Sequence, residues 1–234
     1  MLTIITGASE NHSKSLHNFL RSIEHYADID YICIVYDLGL APATLHNLKI
    51  RFSKYEFRHF DFSKYPSYFN ITIAAGEYAW KPAIIYEVGM VATDAIIWCD
   101  AGDLIRGSLK EIYNTIKKDI IFSTVTSGDI KLWTHPLTLK WFNIDIDDNI
   151  LEMPNRNGAI IGIDCSVAEC REFIILLNSC AHDKSCIAPE GSSRANHRQD
   201  QAVFTVLYYK FRATYNCITQ TDSTHLITIH NDCD

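Results

Sequence analysis

One segment of the sequence is more informative about the fold than the rest, and it reads Ile96-Ile97-Trp98-Cys99-Asp100-Ala101-Gly102-Asp103-Leu104-Ile105. An apolar, strand-like run ends there in two carboxylates that enter a tight turn. Carboxylates at the end of a buried strand are costly unless they meet a cation or hydrogen-bond donors. Oxygen ligands presented in this way suit Mg²⁺ or Mn²⁺, and such an ion could hold a diphosphate. The alternative is a surface turn in which Asp100 caps nearby backbone amides.

Strand-like and helix-like segments alternate on both sides of this segment. The apolar patterns predict strands at 2–6, 31–36, 56–62, 95–99, 119–125, 158–163 and 226–229. They predict helices at 13–26, 45–52, 84–91, 108–117, 166–180 and 200–211. We therefore expect an α/β fold, with a mainly parallel central sheet and helices on both faces. Ligands of such sheets bind at the carboxyl ends of the strands, so we expect the chemistry above all after Cys99.

The composition is that of an ordinary globular protein, with 47% apolar and 21% charged residues. The 234 residues, with a mass of 26.7 kDa, suit one α/β domain. A net charge of −7 argues against a protein whose main partner is a nucleic acid. Apolar runs such as 173–177 are too short to span a bilayer, and no secretory signal is visible. We therefore expect a cytoplasmic protein without a transmembrane segment.

Eight cysteines are spread along the chain, and no pair has the C-x-x-C spacing of a zinc knuckle. Cys33, Cys99 and Cys165 lie in or at the ends of apolar strand-like runs, where cysteine acts as a small hydrophobe. We expect reduced thiols in the cytosol. A disulfide between Cys180 and Cys186 is the alternative.

The segment from Trp98 to Leu109 resembles the metal-binding strand and turn of the GT-A nucleotide-sugar glycosyltransferases, most closely the glycogenin-like and galactosyltransferase-like families. Those families place an Asp-x-Asp after an apolar strand and continue with a short link, a Gly and a helix. Here Gly102 stands at the position of the second Asp, and Asp103 follows one residue later. The resemblance implies a GT-A (Rossmann-like) fold and Mn²⁺ or Mg²⁺ bound by Asp100 and Asp103. For Asp103, contact through water or with the ribose is the alternative.

Three later segments are similar to the same families in the same order. The pair Asn157-Gly158 resembles the Asn-x-Gly strand that flanks the donor sugar, which implies a sugar-binding role. The pair Asp200-Gln201 resembles the Asp-Gln that opens a late helix. His230 ends a late strand, as does the metal-ligating His of these families, and His225 is the alternative.

Three regions are expected to hold the nucleotide. The resemblance implies that the loop after the first strand, which begins Thr6-Gly7-Ala8, cradles the nucleoside, and its small residues permit close approach to the backbone. Lys81 lies near the start of the third helix, where the resemblance implies a cation facing the diphosphate. Because Lys81 precedes Pro82, its backbone is expected to be extended. Arg198 is a second candidate, as a partner of a phosphate or of a carboxylate. The alternative for Lys81 is a surface lysine beside a packed tryptophan.

The acceptor side is expected in the polar and aromatic second half of the chain. Aromatic faces stack on sugar rings, so Trp133, His135 and Trp141 are candidates, together with the loop 182–194. A place for these tryptophans in the core of the second half is an equal alternative. We expect residues 1–125 to form a nucleotide-binding half and residues 126–234 an acceptor and sugar-binding half of one domain.

The function that the resemblance implies is transfer of a sugar from a nucleoside diphosphate sugar, expected to be a UDP-sugar, to a hydroxyl of a glycan or other acceptor. Asp200 would be the general base of an inverting enzyme. In a retaining enzyme, which we slightly favour, Asp200 and Gln201 would orient the sugar. Polysaccharide or glycan synthesis is the expected setting. A sugar nucleotidyltransferase and a non-catalytic sugar-binding module are the alternatives.

Overall fold

The structure is a computed structural model that describes residues 1–145, 148–215 and 221–233, so that Cys217 lies outside the described residues. The strands are β1 (Leu2–Ala8), β2 (Tyr31–Asp37), β3 (Glu56–His59), β4 (Ala95–Cys99), β5 (Leu104–Ile105), β6 (Ile121–Phe122), β7 (Val125–Asp129), β8 (Pro154–Arg156), β9 (Ile160–Asp164) and β10 (Ile227–Thr228). The helices are α1 (Ser13–Tyr26), α2 (Pro42–Arg51), α3 (Trp80–Gly89), α4 (Leu109–Asp119), α5 (Ile130–Trp133), α6 (Pro136–Trp141), α7 (Glu169–His182), α8 (Lys184–Ile187) and α9 (Gln199–Tyr215).

Six strands form the central sheet in the order β3-β2-β1-β4-β9-β6. Strand β1 pairs in parallel with β2 along its whole length and with β4 on its other side. Strand β9 runs antiparallel to both of its neighbours, β4 and β6. The pairs β5–β10 and β7–β8 are separate antiparallel ribbons. The prediction of an α/β fold with a mainly parallel sheet is confirmed.

Alternate side chains of the strands point to opposite faces of the sheet, and each face has its own apolar core. Ile5 and Ile96 belong to a core shared with helices α3, α7 and α9. Ile4 and Ile97 belong to a core shared with α1, α2 and α4. Helices therefore cover both faces, as expected. Because the faces are covered, functional groups reach solvent at the ends of the strands.

Two local predictions about the backbone were wrong. The predicted strand at 119–125 begins with Asp119, the last residue of α4, and Ile120 turns the chain away with a φ of 64°. Two separate strands, β6 and β7, follow that turn. The backbone of Lys81 is helical rather than extended, since Lys81 is the second residue of α3. Proline in the first turn costs a helix little because the first amides have no partner within the helix, and here this outweighs the preference of the preceding residue.

The expectation of reduced thiols fails at one pair, because Cys180 in α7 and Cys186 in α8 form a disulfide with Cα atoms 5.3 Å apart. Both residues are fully buried. Cys33, Cys99 and Cys165 are buried free thiols, as expected of cysteines that pack in strands. Within the described ranges, no helix combines the length and apolarity needed to cross a bilayer.

Candidate active site

Two adjoining cavities lie at the carboxyl ends of β1 and β4. The larger has a volume of about 620 Å³ and is lined by the loop after β1, the turn after β4 and the segment after β10. Gly7 and Ala8 line it, as the sequence predicts for a nucleoside site. Thr6 does not: it is fully buried, and its hydroxyl has no hydrogen-bond partner. A cavity of this size is within the range that small-molecule ligands occupy.

The smaller cavity has a volume of about 140 Å³ and lies beside the start of α9. The predicted sugar-binding and catalytic residues, together with the predicted phosphate partner, line it: Asn157, Gly158, Arg198, Asp200 and Gln201. Five residues line both cavities: Tyr78, Lys81, Asp100, Arg194 and His230. The sequence motifs, which lie far apart along the chain, therefore meet at one junction.

Lys81 lies at the centre of this junction. Its side chain is only 4% exposed, and its Nζ lies 3.0 Å from Oδ1 of Asp100 and 2.9 Å from Oδ2 of Asp200. Nζ also donates a hydrogen bond of 3.0 Å to the carbonyl oxygen of Gly158. Asp100 is held from a second direction, since Trp98 Nε1 donates to the same Oδ1 at 2.7 Å. The alternative of a surface lysine is excluded by this burial.

Electrostatics keep Lys81 charged. Burial by itself lowers the pKa of Lys81, but the carboxylates of Asp100 and Asp200 outweigh burial, and the net pKa lies above its ordinary value. Burial raises the pKa of Asp200, and the ammonium of Lys81 opposes that rise. Nζ donates one hydrogen bond, to the carbonyl of Gly158, and forms ion pairs with two carboxylates within 3.0 Å. Lys81 is thus already ion-paired within the protein rather than a free cation.

Asp103 is placed differently from the prediction. It is fully buried and lines neither cavity. Its Oδ2 accepts a hydrogen bond of 3.1 Å from the amide of Asp100, and its Oδ1 accepts one of 3.2 Å from the amide of His230. Burial, reinforced by the charge of Asp100, raises the pKa of Asp103 well above its usual range. In this arrangement Asp103 fastens the segment after β10 to the turn after β4.

A metal ion would need ligands that face the cavities, and Asp100 and His230 do so. Gly102 has no side chain, but the carboxylate of Asp232 fills the space beside it and would overlap a Cβ at that position. The amide of Asn231 anchors this segment by donating to the carbonyl oxygen of Gly102 at 2.6 Å. Among the residues that the structure describes, no three His, Cys, Asp or Glu side chains form a group that could hold a metal as they stand. The donor types suit Mn²⁺, but ligation requires the side chains to turn toward one another.

A left-handed turn on the wall of the larger cavity was not predicted. Five consecutive residues, 74–78, have φ values between 47° and 65°. Only one of them, Gly76, is free of the Cβ that makes this conformation unfavourable. Trp80 Nε1 donates to the carbonyl oxygen of Ala75 at 3.0 Å, and Gln199 Nε2 donates to Oε2 of Glu77 at 3.3 Å. Gln199 itself has a φ of 40°, so strained backbone lies on two sides of the cleft.

Sequence reasoning also missed Arg194 and Asp232 as site residues. Arg194 was assigned only to a loop on the acceptor side, and Asp232 was not considered. A signal existed for Asp232, because it lies two residues after the predicted ligand His230. The fallback ligand His225 is exposed and lines neither cavity.

The two tryptophans predicted for the acceptor side both contact other residues of the protein. The guanidinium carbon of Arg198 lies 4.1 Å from the ring centroid of Trp133. Trp141 Nε1 donates to Oδ2 of Asp183 at 2.9 Å, which joins α6 to the segment before α8. Both contacts are within the protein, so they give no support to stacking of either indole on a sugar.

Comparisons with known proteins bear on the fold. Among solved structures, the galactosyltransferase LgtC in complex with donor and acceptor sugar analogs matches with a TM-score of 0.57 and 17% identity, over 97% of this chain and 86% of LgtC. The chain has a GT-A-like glycosyltransferase fold. The apo structure of the bifunctional glycosyltransferase WbbM matches with a TM-score of 0.58 and 14% identity, over 89% of this chain but only 37% of WbbM.

Other comparisons add little detail. An LgtC structure described as an active-site mutant, with glutamine changed to glutamate, matches with a TM-score of 0.58 and 17% identity, over 97% of this chain and 86% of that one. A family model described as "Protein of unknown function (DUF1647)" matches residues 2–86. No curated protein matches the chain.

Proposed function

We propose that this protein transfers a glycosyl group from a nucleoside diphosphate sugar to the hydroxyl of a glycan or other acceptor. The observation that carries the proposal is the ion group of Lys81, Asp100 and Asp200 at the junction of the two cavities, in which Lys81 and Asp200 are buried. It lies at the carboxyl end of a parallel sheet, where α/β enzymes bind nucleotides. The glycosyltransferase fold supports the same reaction class.

The two cavities suggest how the donor would lie. The nucleoside, proposed as uridine, fits the larger cavity beside Gly7 and Ala8, where a side chain on Gly7 would press against Leu38 and Tyr36. The sugar would enter the smaller cavity beside Asn157 and Gly158. A synthetic role in polysaccharide or glycan assembly follows from this reaction class.

Asp200 is better suited to orienting the sugar than to removing a proton. A general base needs a free lone pair directed at the acceptor hydroxyl. Oδ2 of Asp200 is instead engaged by Lys81 at 2.9 Å, and the residue is buried. Gln201 lines the smaller cavity beside it. The engagement of Asp200 by Lys81 therefore supports the retaining alternative, in which Asp200 and Gln201 orient the sugar.

Dependence on Mn²⁺ or Mg²⁺ is a separate part of the proposal. We propose that Asp100 and His230 are ligands, as expected, and that Asp232 supplies the second carboxylate in place of Asp103. The support is that the carboxylate of Asp232 occupies the space beside Gly102, whereas both oxygens of Asp103 accept backbone amides. Such an ion, when bound, would neutralise charge on the diphosphate.

The compartment is also a proposal. The cytoplasm was expected, but the Cys180–Cys186 disulfide supports an oxidising compartment, because disulfides seldom persist in the cytosol.

The test is release of the nucleoside diphosphate from a panel of nucleotide sugars, each assayed with Mn²⁺ and with chelator. We expect turnover of one UDP-sugar, dependent on metal. Asp200→Asn should lower kcat about 100-fold or more while leaving the Kd for UDP nearly unchanged, because it removes a group that acts on the sugar. Asp30→Asn, at an exposed position, is the matched control and should have wild-type kinetics.

Two results would replace the proposal. Sugar binding that is insensitive to chelator, without turnover of any donor, would indicate a non-catalytic binding module. Release of pyrophosphate would indicate a nucleotidyltransferase.

A further inference from the structure

We propose that Arg194 binds the diphosphate of the donor, a role that sequence reasoning assigned to Lys81 and Arg198. This inference rests on the proposed function and names the group that would hold the anionic part of its substrate. It depends on where the cations of the site lie and on which of them already have an anionic partner.

Lys81 already has anionic partners within the protein. An ammonium has three donors. Three oxygens lie within 3.0 Å of Nζ, from Asp100, Asp200 and Gly158. A phosphate oxygen that bound Lys81 would compete with these partners, and one of them, Asp200, is a buried carboxylate that would lose its ion pair. Lys81 therefore serves to hold the two carboxylates together.

Arg194 is in the opposite situation. It lines both cavities, yet it forms no ion pair with any carboxylate of the described residues. Its Nη1 donates a hydrogen bond of 3.0 Å to the hydroxyl of Tyr78, and its guanidinium carbon lies 5.7 Å from the centroid of that ring. A guanidinium has five donors, so most remain for another acceptor. A diphosphate is a fitting acceptor, since a guanidinium can bind two phosphate oxygens at once.

Tyr78 sets the position of Arg194 at the junction. It belongs to the left-handed turn 74–78 and lines both cavities itself. Nζ of Lys81 lies 5.9 Å from the centroid of the same ring. The tyrosine thus has the paired cation and the unpaired cation as neighbours, and it holds the unpaired one where the larger cavity meets the smaller. In the proposed donor pose, that is where the diphosphate joins the nucleoside to the sugar.

Arg198 is a weaker candidate on the same criteria. It lines only the smaller cavity, and its guanidinium lies against the face of Trp133. The contrast between the two arginines makes Arg198→Ala an informative companion to Arg194→Ala.

The experiment measures the Kd of UDP and of uridine by calorimetric titration for the wild type, Arg194→Ala, Arg194→Lys and Arg198→Ala. We expect Arg194→Ala to raise the Kd of UDP about tenfold or more, as loss of a charge-assisted pair does. The Kd of uridine should stay within twofold of wild type, because uridine has no phosphate. Arg194→Lys should recover part of the loss, and Arg198→Ala should have a smaller effect on UDP. Exposed Arg21 provides the matched control, with Arg21→Ala leaving both Kd values unchanged.

Three other outcomes would contradict this inference. If Arg194→Ala leaves the Kd of UDP unchanged, Arg194 does not bind the diphosphate. If it weakens UDP and uridine equally, the residue acts on the structure of the cleft, and the inference is equally wrong. If the wild type binds none of UDP, GDP, ADP and CDP, the proposed function itself fails, and this inference fails with it.

Discussion

The protonation state of His197 affects the loop that carries Arg194. It is fully buried and lies three residues before Asp200. Its Nδ1 accepts a hydrogen bond of 3.2 Å from the amide of His135, so Nε2 carries the proton and donates to the carbonyl oxygen of Ile187 at 2.9 Å. Burial lowers the pKa of His197 to about 4, although the bond to Ile187 opposes this. The neutral imidazole is therefore the form that ties this loop to α8.

This pKa predicts a loss of stability in acid. Above pH ~6.5, the pKa of an unfolded histidine, His197 is neutral in both states and contributes no pH dependence. Between pH ~6.5 and 4 the unfolded chain binds a proton that the folded protein does not, so the free energy of unfolding falls as the pH falls, by about 3 kcal/mol in total. Urea unfolding of the wild type and of His197→Gln at pH 7.5, 5.5 and 4.5 checks this. The difference in stability between the two should shrink as the pH falls.

The control is His46→Gln, at an exposed position in α2, whose difference from wild type should not change with pH. A constant difference between wild type and His197→Gln across the three pH values would contradict the prediction.

Lys81 differs from both of the predictions that its sequence position suggested. Its position before Pro82 indicated an extended backbone, and its charge indicated a phosphate partner. The structure places it in a helix, buried, between two carboxylates. The two differences have separate causes. The helix tolerates Pro82 in its first turn, and the buried ammonium is stabilised by the carboxylates of Asp100 and Asp200.

At the scale of elements, the left-handed turn 74–78 differs most from what its sequence indicates. Ala, Glu and Tyr have no preference for positive φ, and each costs about 1–2 kcal/mol in that conformation. The turn is maintained by contacts from elsewhere, including Trp80 with Ala75 and Gln199 with Glu77. Gly76 is required, since a Cβ there would overlap the carbonyl of Phe69.

We predict that Ala75→Gly raises the free energy of unfolding by about 0.5–1 kcal/mol, because it removes the Cβ from a residue whose φ is 54°. The same substitution at exposed Ala213 in the right-handed helix α9 should lower it by about 1 kcal/mol. Denaturant unfolding of both variants gives the two values. If both substitutions destabilise the protein to the same extent, residue 75 does not have the left-handed conformation in solution.

At the scale of the whole molecule, the two predicted halves share one sheet. Strand β9, from residues 126–234, lies between β4 and β6, both from residues 1–125. Gly162 of β9 pairs with Ile97 on one side and Phe122 on the other. Cooperative unfolding of the whole chain follows from this interleaving, because neither half can separate without breaking the sheet.

Ile96 and Ile97 offer a matched test, since they are neighbours in β4 and their side chains enter different cores. Ile96→Val and Ile97→Val should each lower the free energy of unfolding by about 1 kcal/mol. In both variants, far-ultraviolet circular dichroism and tryptophan fluorescence should report one coincident transition. Separate transitions, or a shift seen by only one of the two probes, would show that the faces unfold independently.

The fold was readable from the sequence because its signals are local. Alternating strand and helix periods indicated the α/β sheet, and the apolar run ending at Asp100 located the cleft at the strand ends. Motif order also brought distant residues of the predicted site together, since Lys81, Asn157 and Asp200 line one cavity; their roles stay predictions.

Only the tertiary structure decided which distant parts of the chain contact each other. Arg194 meets Tyr78 across 116 residues, and the amide of His230 meets Asp103 across 127. No periodicity or spacing encodes such pairs, because they arise when separate elements pack against one sheet. For the same reason, only the packed elements show that Lys81 is ion-paired, whereas Arg194 has no carboxylate partner among the residues that the structure describes.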